Sequence, residues 1–205
     1  MATSKQTTAS RRRMRGPERR AQLIGVARKV FGRAGFHRAS MDDVAKAAGV
    51  TKPILYDHFG SKEDLYVALL DADAETLEER VRAALEAPTG NRERIRQSFQ
   101  EYFDFVDEHG GGFRLFMQET IGGLDLFESR VNAVRDRIRA LVSDLIVRES
   151  QGKVERRDAD TVALALVGMA ETVAQRDAGG SKRDRRRDVD VLVQLAWRGI
   201  TNLTE

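Results

Sequence analysis

Apolar residues recur along this chain every three or four positions, the spacing of helices that bury one face. Leu23, Ala27, Val30 and Phe31 mark the first such face, in a helix expected to start at Pro17 and to stop at Gly35. Proline loses nothing in a first turn, and Glu18 beside it complements the helix dipole. Ser40 is expected to cap a second, short helix whose small apolar face is Val44 and Ala45. Gly49 then supplies a tight turn, because glycine enters the left-handed region without steric cost. Thr51 is expected to cap a third helix, with Pro53 in its first turn and Ile54 and Leu55 on its buried side. Ser61 starts a fourth, with Asp64 close to a capping box. Leu65, Leu69, Leu70, Leu77, Val81 and Leu85 carry it to Ala87, where Pro88-Thr89-Gly90 breaks it.

From Asn91 the pattern changes scale. Ile95, Phe99, Phe103 and Val106 share one helical stripe, with Tyr102 and Phe105 beside it. Gly110–Gly112 is expected to break this helix; Phe113, Leu115, Phe116 and Met117 follow, then a second break at Gly122–Gly123. A further helix is expected from about Asp125 to Ser150, carrying Phe127, Val131, Val134, Ile138, Leu141, Val142 and Leu145. Thr161–Ala174 is apolar almost all round, and Val189–Ile200 also buries more than one stripe. The charged run Lys182–Arg187 between them is expected to be a solvated loop. The pattern predicts an all-α chain of about nine helices. It divides into a disordered basic arm (1–16), a three-helix helix-turn-helix module (17–62) and a helical effector-binding and dimerisation body (63–205).

Two short helices joined by a glycine turn form a helix-turn-helix, whose second helix enters the major groove of DNA. The charge supports a polyanion partner: residues 1–62 hold 14 Lys and Arg against four Asp and Glu, leaving 21 against 28 beyond, so a net of +3 hides a basic head on an acidic body. Thr51, Lys52 and Ile54 are the candidates for base edges, with Pro53 between them. Tyr56, His58 and Lys62 are the candidates for phosphate contacts, which set register without reading sequence. Ser40 and Met41, at a helix N-terminus, can hold a phosphate, and Arg13 and Arg15 form an arm placed to reach phosphates or the minor groove. Phe59 is expected in the core.

Six of the nine phenylalanines fall between Phe99 and Phe127, around glycine-broken helices that leave gaps for an apolar ligand. The candidate pocket is Phe99, Tyr102, Phe103, Val106, Phe113, Phe116, Met117, Phe127, Val131 and Glu171. Glu171 is expected to pair with Arg176 or Arg198, or to face the ligand's polar end. The wide apolar faces of the last two helices suggest a four-helix bundle between two copies, through Leu164, Val167, Gly168, Leu192, Leu195 and Trp197. With no cysteine, three scattered histidines (His37, His58, His109) and no carboxylate pair at metal spacing, neither enzymatic chemistry nor a metal or other cofactor is expected. No apolar run reaches membrane-spanning length and no signal peptide is visible, so a soluble cytoplasmic protein is expected, with no membrane partner.

The run TKPILYDHFGSKEDLY, with the helix before it, closely resembles the DNA-binding domain of the TetR family of transcriptional regulators. The resemblance implies a homodimer on a palindromic DNA operator, a ligand pocket in the central helices, and phosphate contacts by the tyrosine and lysine. It implies a repressor released by a small apolar effector, or otherwise an activator or an effector-independent DNA-binding protein. In the body, EYFDFVDEHGGGFRLF, ALVGMAE and VQLAWRGI resemble the actinobacterial fatty-acid-metabolism regulators of this family, which implies an acyl-CoA or fatty-acid effector.

Overall fold

The computed structural model describes residues 16–118, 125–176 and 182–204, with side chains for 16–109, 128–174 and 184–200. Eight helices run through them: α1 Gly16–Ala34, α2 Met41–Ala48, α3 Lys52–His58, α4 Lys62–Leu85, α5 Asn91–Gln118, α6 Asp125–Glu149, α7 Arg156–Arg176 and α8 Lys182–Thr204. No strand occurs among the described residues, and no helix there is long and apolar enough to cross a membrane.

The head is α1–α3 closed by the first turns of α4. Gly35 (φ 78°) ends α1 with its N–H on Phe31 O at 2.8 Å, and Gly49 (φ 65°) ends α2 in the same left-handed geometry. Leu23, Leu55 and Leu65 are fully enclosed, and Phe31, Phe36 and Tyr66 pack tilted and edge-to-face with centroids 4.8–6.0 Å apart. Enclosing one such ring contributes roughly 2–3 kcal/mol, so the start of α4 is fixed to the head by its own core. Phe59 is buried as expected, beneath the Arg20 guanidinium at 4.8 Å.

The body is built around α5, which packs against α1, α4 and α8, while α6 and α7 form a hairpin on its far side. Three expectations change here. The glycines at 110–112 do not break α5, which continues to Gln118. Each costs about 1 kcal/mol in a helix, less than the packing of the turns before it. The expected break at Gly122–Gly123 lies outside the described residues. α7 begins at Arg156, ahead of the apolar run at Thr161, and α8 begins at Lys182, so the charged run is helix rather than loop. Arg185 in that run is only 3% exposed, paired with Asp107 at 3.0 Å and lying 5.3 Å over the Phe103 ring.

Candidate nucleic-acid interface and effector cavity

α3 presents one buried residue, Leu55, and exposes the rest of its turn-facing side: Thr51, Lys52, Pro53, Ile54 and Tyr56 are all exposed, and His58 is half-buried. Ile54, expected partly on the buried side, is 40% exposed and Tyr56 42%. An isoleucine and a tyrosine held in water on a seven-residue helix offer a methyl surface and a hydroxyl to a groove. Thr51 occupies the N-cap but makes no side-chain cap bond; Pro53 withholds one of the two donors such a cap could use, and the other, the Ile54 N–H, is not taken by the Thr51 hydroxyl.

Lys52 is not free in solution. Its Nζ lies 2.9 Å from Asp42 Oδ1 on α2, and this bond holds its pKa above the usual lysine value. A phosphate or base edge must therefore win Lys52 from Asp42. Sequence reasoning passed over Asp42, since an acid in a helix's first turn is explained by the dipole alone.

Ser40 caps α2 in a complete capping box: its Oγ accepts from Asp43 N at 3.2 Å, and its own N–H donates to Asp43 Oδ2 at 3.0 Å. These bonds hold the Asp43 carboxyl below its usual range. Met41 is buried, so of this residue only the backbone N–H can serve an anion. Lys62, expected on phosphate, is occupied within the head. It donates to Phe36 O at 3.1 Å and Ala39 O at 3.3 Å, with its Nζ 4.4 Å over the Phe36 ring. Lys62→Ala is thus expected to lower stability by about 1–2 kcal/mol, visible as a melting temperature about 2–8 °C lower without DNA present. An unchanged melt would return Lys62 to a purely phosphate-binding role. Arg13 and Arg15 lie outside the described residues.

The body encloses a cavity of about 350 Å³, lined on α5 by Ile95, Phe99 and Tyr102, on α6 by Ile138, Val142 and Leu145, and on α8 by Trp197. Its far end is polar: Asn91, Glu149, Ser150, Gln151 and Lys153 ring it where the α4–α5 and α6–α7 turns meet. Tyr102 also lines a smaller chamber with Val131, Arg135 and Glu171. Burial first, and the Glu171 charge second, push the Tyr102 hydroxyl's pKa up, so it stays protonated.

Of the expected pocket, the structure brings together Phe99, Tyr102, Val131 and Glu171. Phe103 and Val106 are buried but line neither space: Phe103 is turned by a few tens of degrees from the Phe99–Tyr102 face, and Val106 shares that face one turn beyond Tyr102. The side chains of Phe113, Phe116, Met117 and Phe127 lie outside the described residues. Glu171 pairs with Arg135, Nε to Oε1 at 2.8 Å; the Arg176 side chain lies outside the described residues.

Among the described residues, Ile54 and Tyr56 on α3 and Leu164, Val191 and Leu195 on α7 and α8 are the exposed large apolar side chains. Leu164 and Leu195 were expected on a dimer face. Val167 and Leu192, expected beside them, are buried within the protomer, Gly168 is half-buried, and half-buried Trp197 faces the cavity.

Known proteins match two stretches of the chain. Residues 23–69 match the model for bacterial regulatory proteins of the tetR family, and residues 91–199 match a tetracyclin repressor-like C-terminal domain. The HTH-type transcriptional activator FasR of Mycolicibacterium smegmatis is 35% identical over 187 residues, covering 91% of this chain and 84% of that one. A TetR-like transcriptional regulator from Rhodococcus sp. RHA1 superposes with a TM-score of 0.72 at 32% identity, over 92% of this chain and 99% of that one. The FadR regulator of Bacillus subtilis, solved with stearoyl-CoA, shares the fold at 17% identity, with a TM-score of 0.73 over 86% of this chain and 96% of that one.

Proposed function

This chain belongs to the TetR family and is a DNA-binding transcriptional regulator, and from that premise we propose that it acts in the cytoplasm as a homodimer whose grip on a palindromic operator is set by an elongated, largely apolar effector in the body cavity. The observation that carries the proposal is the location of the exposed apolar side chains: two on the recognition helix and three on the last two helices. One patch suits a groove; the other suits a second copy. A seven-residue recognition helix is too short to specify a site alone, so two heads at fixed separation are needed.

An effector changes DNA affinity only by preferring one head spacing over another. α4 is the element that can transmit it, since its start lies in the head core while Val81 and Leu85 line the cavity. The apolar walls and polar far end suit a fatty acid or acyl thioester. Repression relieved by that ligand is the first form of regulation to test, and the activator name carried by FasR favours ligand-dependent activation as a second.

Selection of genomic fragments by the purified protein at fixed salt is expected to recover a palindrome with half-sites about 34–36 Å apart, or somewhat more. Recovery of unrelated sequences in proportion to input would overturn the reading.

A further inference from the structure

The main cavity does not end at Tyr102. Beyond it lies an apolar chamber of about 30 Å³, and the two share Tyr102, Ile138, Val167 and Ala170 as a common partition. Along α4 the walls step from Leu85 and Val81 in the main cavity to Leu77 and Ala74 in the small one, a span of ~16 Å at 1.5 Å per residue. The small chamber ends at the Arg135–Glu171 ion pair, which turns its carbon stems and no polar atom toward the space. Both side chains are largely buried.

Within this partition the parts differ in freedom. Ile138 and Val167 are β-branched and stiff at χ1, and Ala170 has no rotamer to change. Tyr102 is the bulkiest member, and its ring stands between the two spaces; the chamber behind it, about 30 Å³, is too small to receive that ring. A tail that stops short of Tyr102 leaves wall atoms without contacts. A tail that runs past must first displace the ring, and then meets an ion pair whose separation would leave a charge buried and alone.

Resting on the reading that this cavity holds the effector, we propose that Tyr102, backed by the Arg135–Glu171 pair, is a length gauge that selects straight-chain amphipaths by the extent of their apolar tail. The polar far end, with Lys153, Gln151 and Asn91, takes the headgroup, and the gauge reads the opposite end.

The test is calorimetric titration of the full-length protein with a homologous series of straight-chain carboxylic acids, and with the matching alcohols. Affinity is expected to rise about fourfold per added methylene up to one length and then to fall. Tyr102→Leu is expected to move that limit to longer tails, and Tyr102→Phe to leave it in place, because the ring and not the hydroxyl fills the partition. Ala170→Val, which narrows the partition from the opposite wall, is expected to move the limit to shorter tails and keeps the test decisive should Tyr102→Leu not fold. A wild-type series without a limit, or one limit shared by all variants, overturns the gauge while the cavity stands as the effector site. Failure of every acid and alcohol to bind the wild-type protein overturns the effector site itself, and the gauge with it.

Discussion

Leu195→Asp is expected to convert a dimer into a monomer in light scattering and to weaken binding to a two-half-site duplex by about a hundredfold or more. Leu195 is 59% exposed on α8, with Val191 one turn earlier at 57% and Leu164 on α7 at 52%. In the proposed homodimer these exposed apolar side chains are the surface that the second copy covers. A carboxylate at its centre would have to lose its hydration with no partner to replace it, which an interface of ordinary size does not tolerate. The fold does not share that cost, because within the protomer the side chain contacts little, and exposed substitutions rarely move stability by more than about 0.5 kcal/mol. Affinity for a single half-site is therefore expected to stay within about threefold of wild type while the palindrome loses its advantage. A Leu195→Asp protein that still scatters as a dimer would place the partner surface elsewhere.

What could be read in the chain beforehand follows the range of the interactions. The head was legible because its signals are local: Ser40, Gly49 and Pro53 act within a turn of themselves, and Leu55 and Phe59 follow from spacing. The exception is instructive. Thr51 has a good capping residue's chemistry and sits at the N-cap, yet its hydroxyl makes no cap bond, and Pro53 leaves it one donor fewer than Ser40 has. The charged side chains of the head were less legible, since Lys52 and Lys62 look equally available in one dimension. The structure gives Lys52 to Asp42 and Lys62 to two carbonyls more than 20 positions away.

In the body the ambiguity is between adjacent rows of one helix. Phe99 and Tyr102 face the cavity, whereas Phe103 is turned a few tens of degrees from them into the core, and Val106, on their own face, lies a turn past the cavity wall. Arg185 was beyond reach for another reason. A run of cations reads as solvated, and what buries this one is Asp107, 78 positions earlier. Glu171 likewise finds Arg135 across 36 positions.

One such long-range contact ties head, connector and body together, and its removal should be felt in all three. Asp73 on α4 is 6% exposed and accepts from Arg28 of α1, through Nε at 2.9 Å and through Nη2. His109 of α5 stacks on Phe105 and brings its Nε2 to 3.9 Å from the same carboxylate oxygen. Head, connector and body thus meet at a single carboxylate, next to Ala74, which lines the inner chamber. Asp73→Ala leaves Arg28 facing a void. Because the arginine is partly exposed, the expected loss is about 2–3 kcal/mol rather than the full cost of an orphaned buried charge, lowering the melting temperature by about 4–12 °C. Arg130→Ala makes the contrast. It removes an ion pair from the same connector, between Asp71 and Arg130, but both partners there are well exposed and the melt should shift by about 1 kcal/mol or less. The sharper readout is linkage, measured as the ratio of DNA dissociation constants with and without a bound straight-chain acid. In wild type this ratio is expected in the usual allosteric range of about 5–150, and in Asp73→Ala it should fall toward one even where each ligand still binds. Loss of stability alone would weaken both ligands and leave their ratio where it was. If the ratio survives in Asp73→Ala, the coupling between effector and operator runs through α4 by packing and not through this joint.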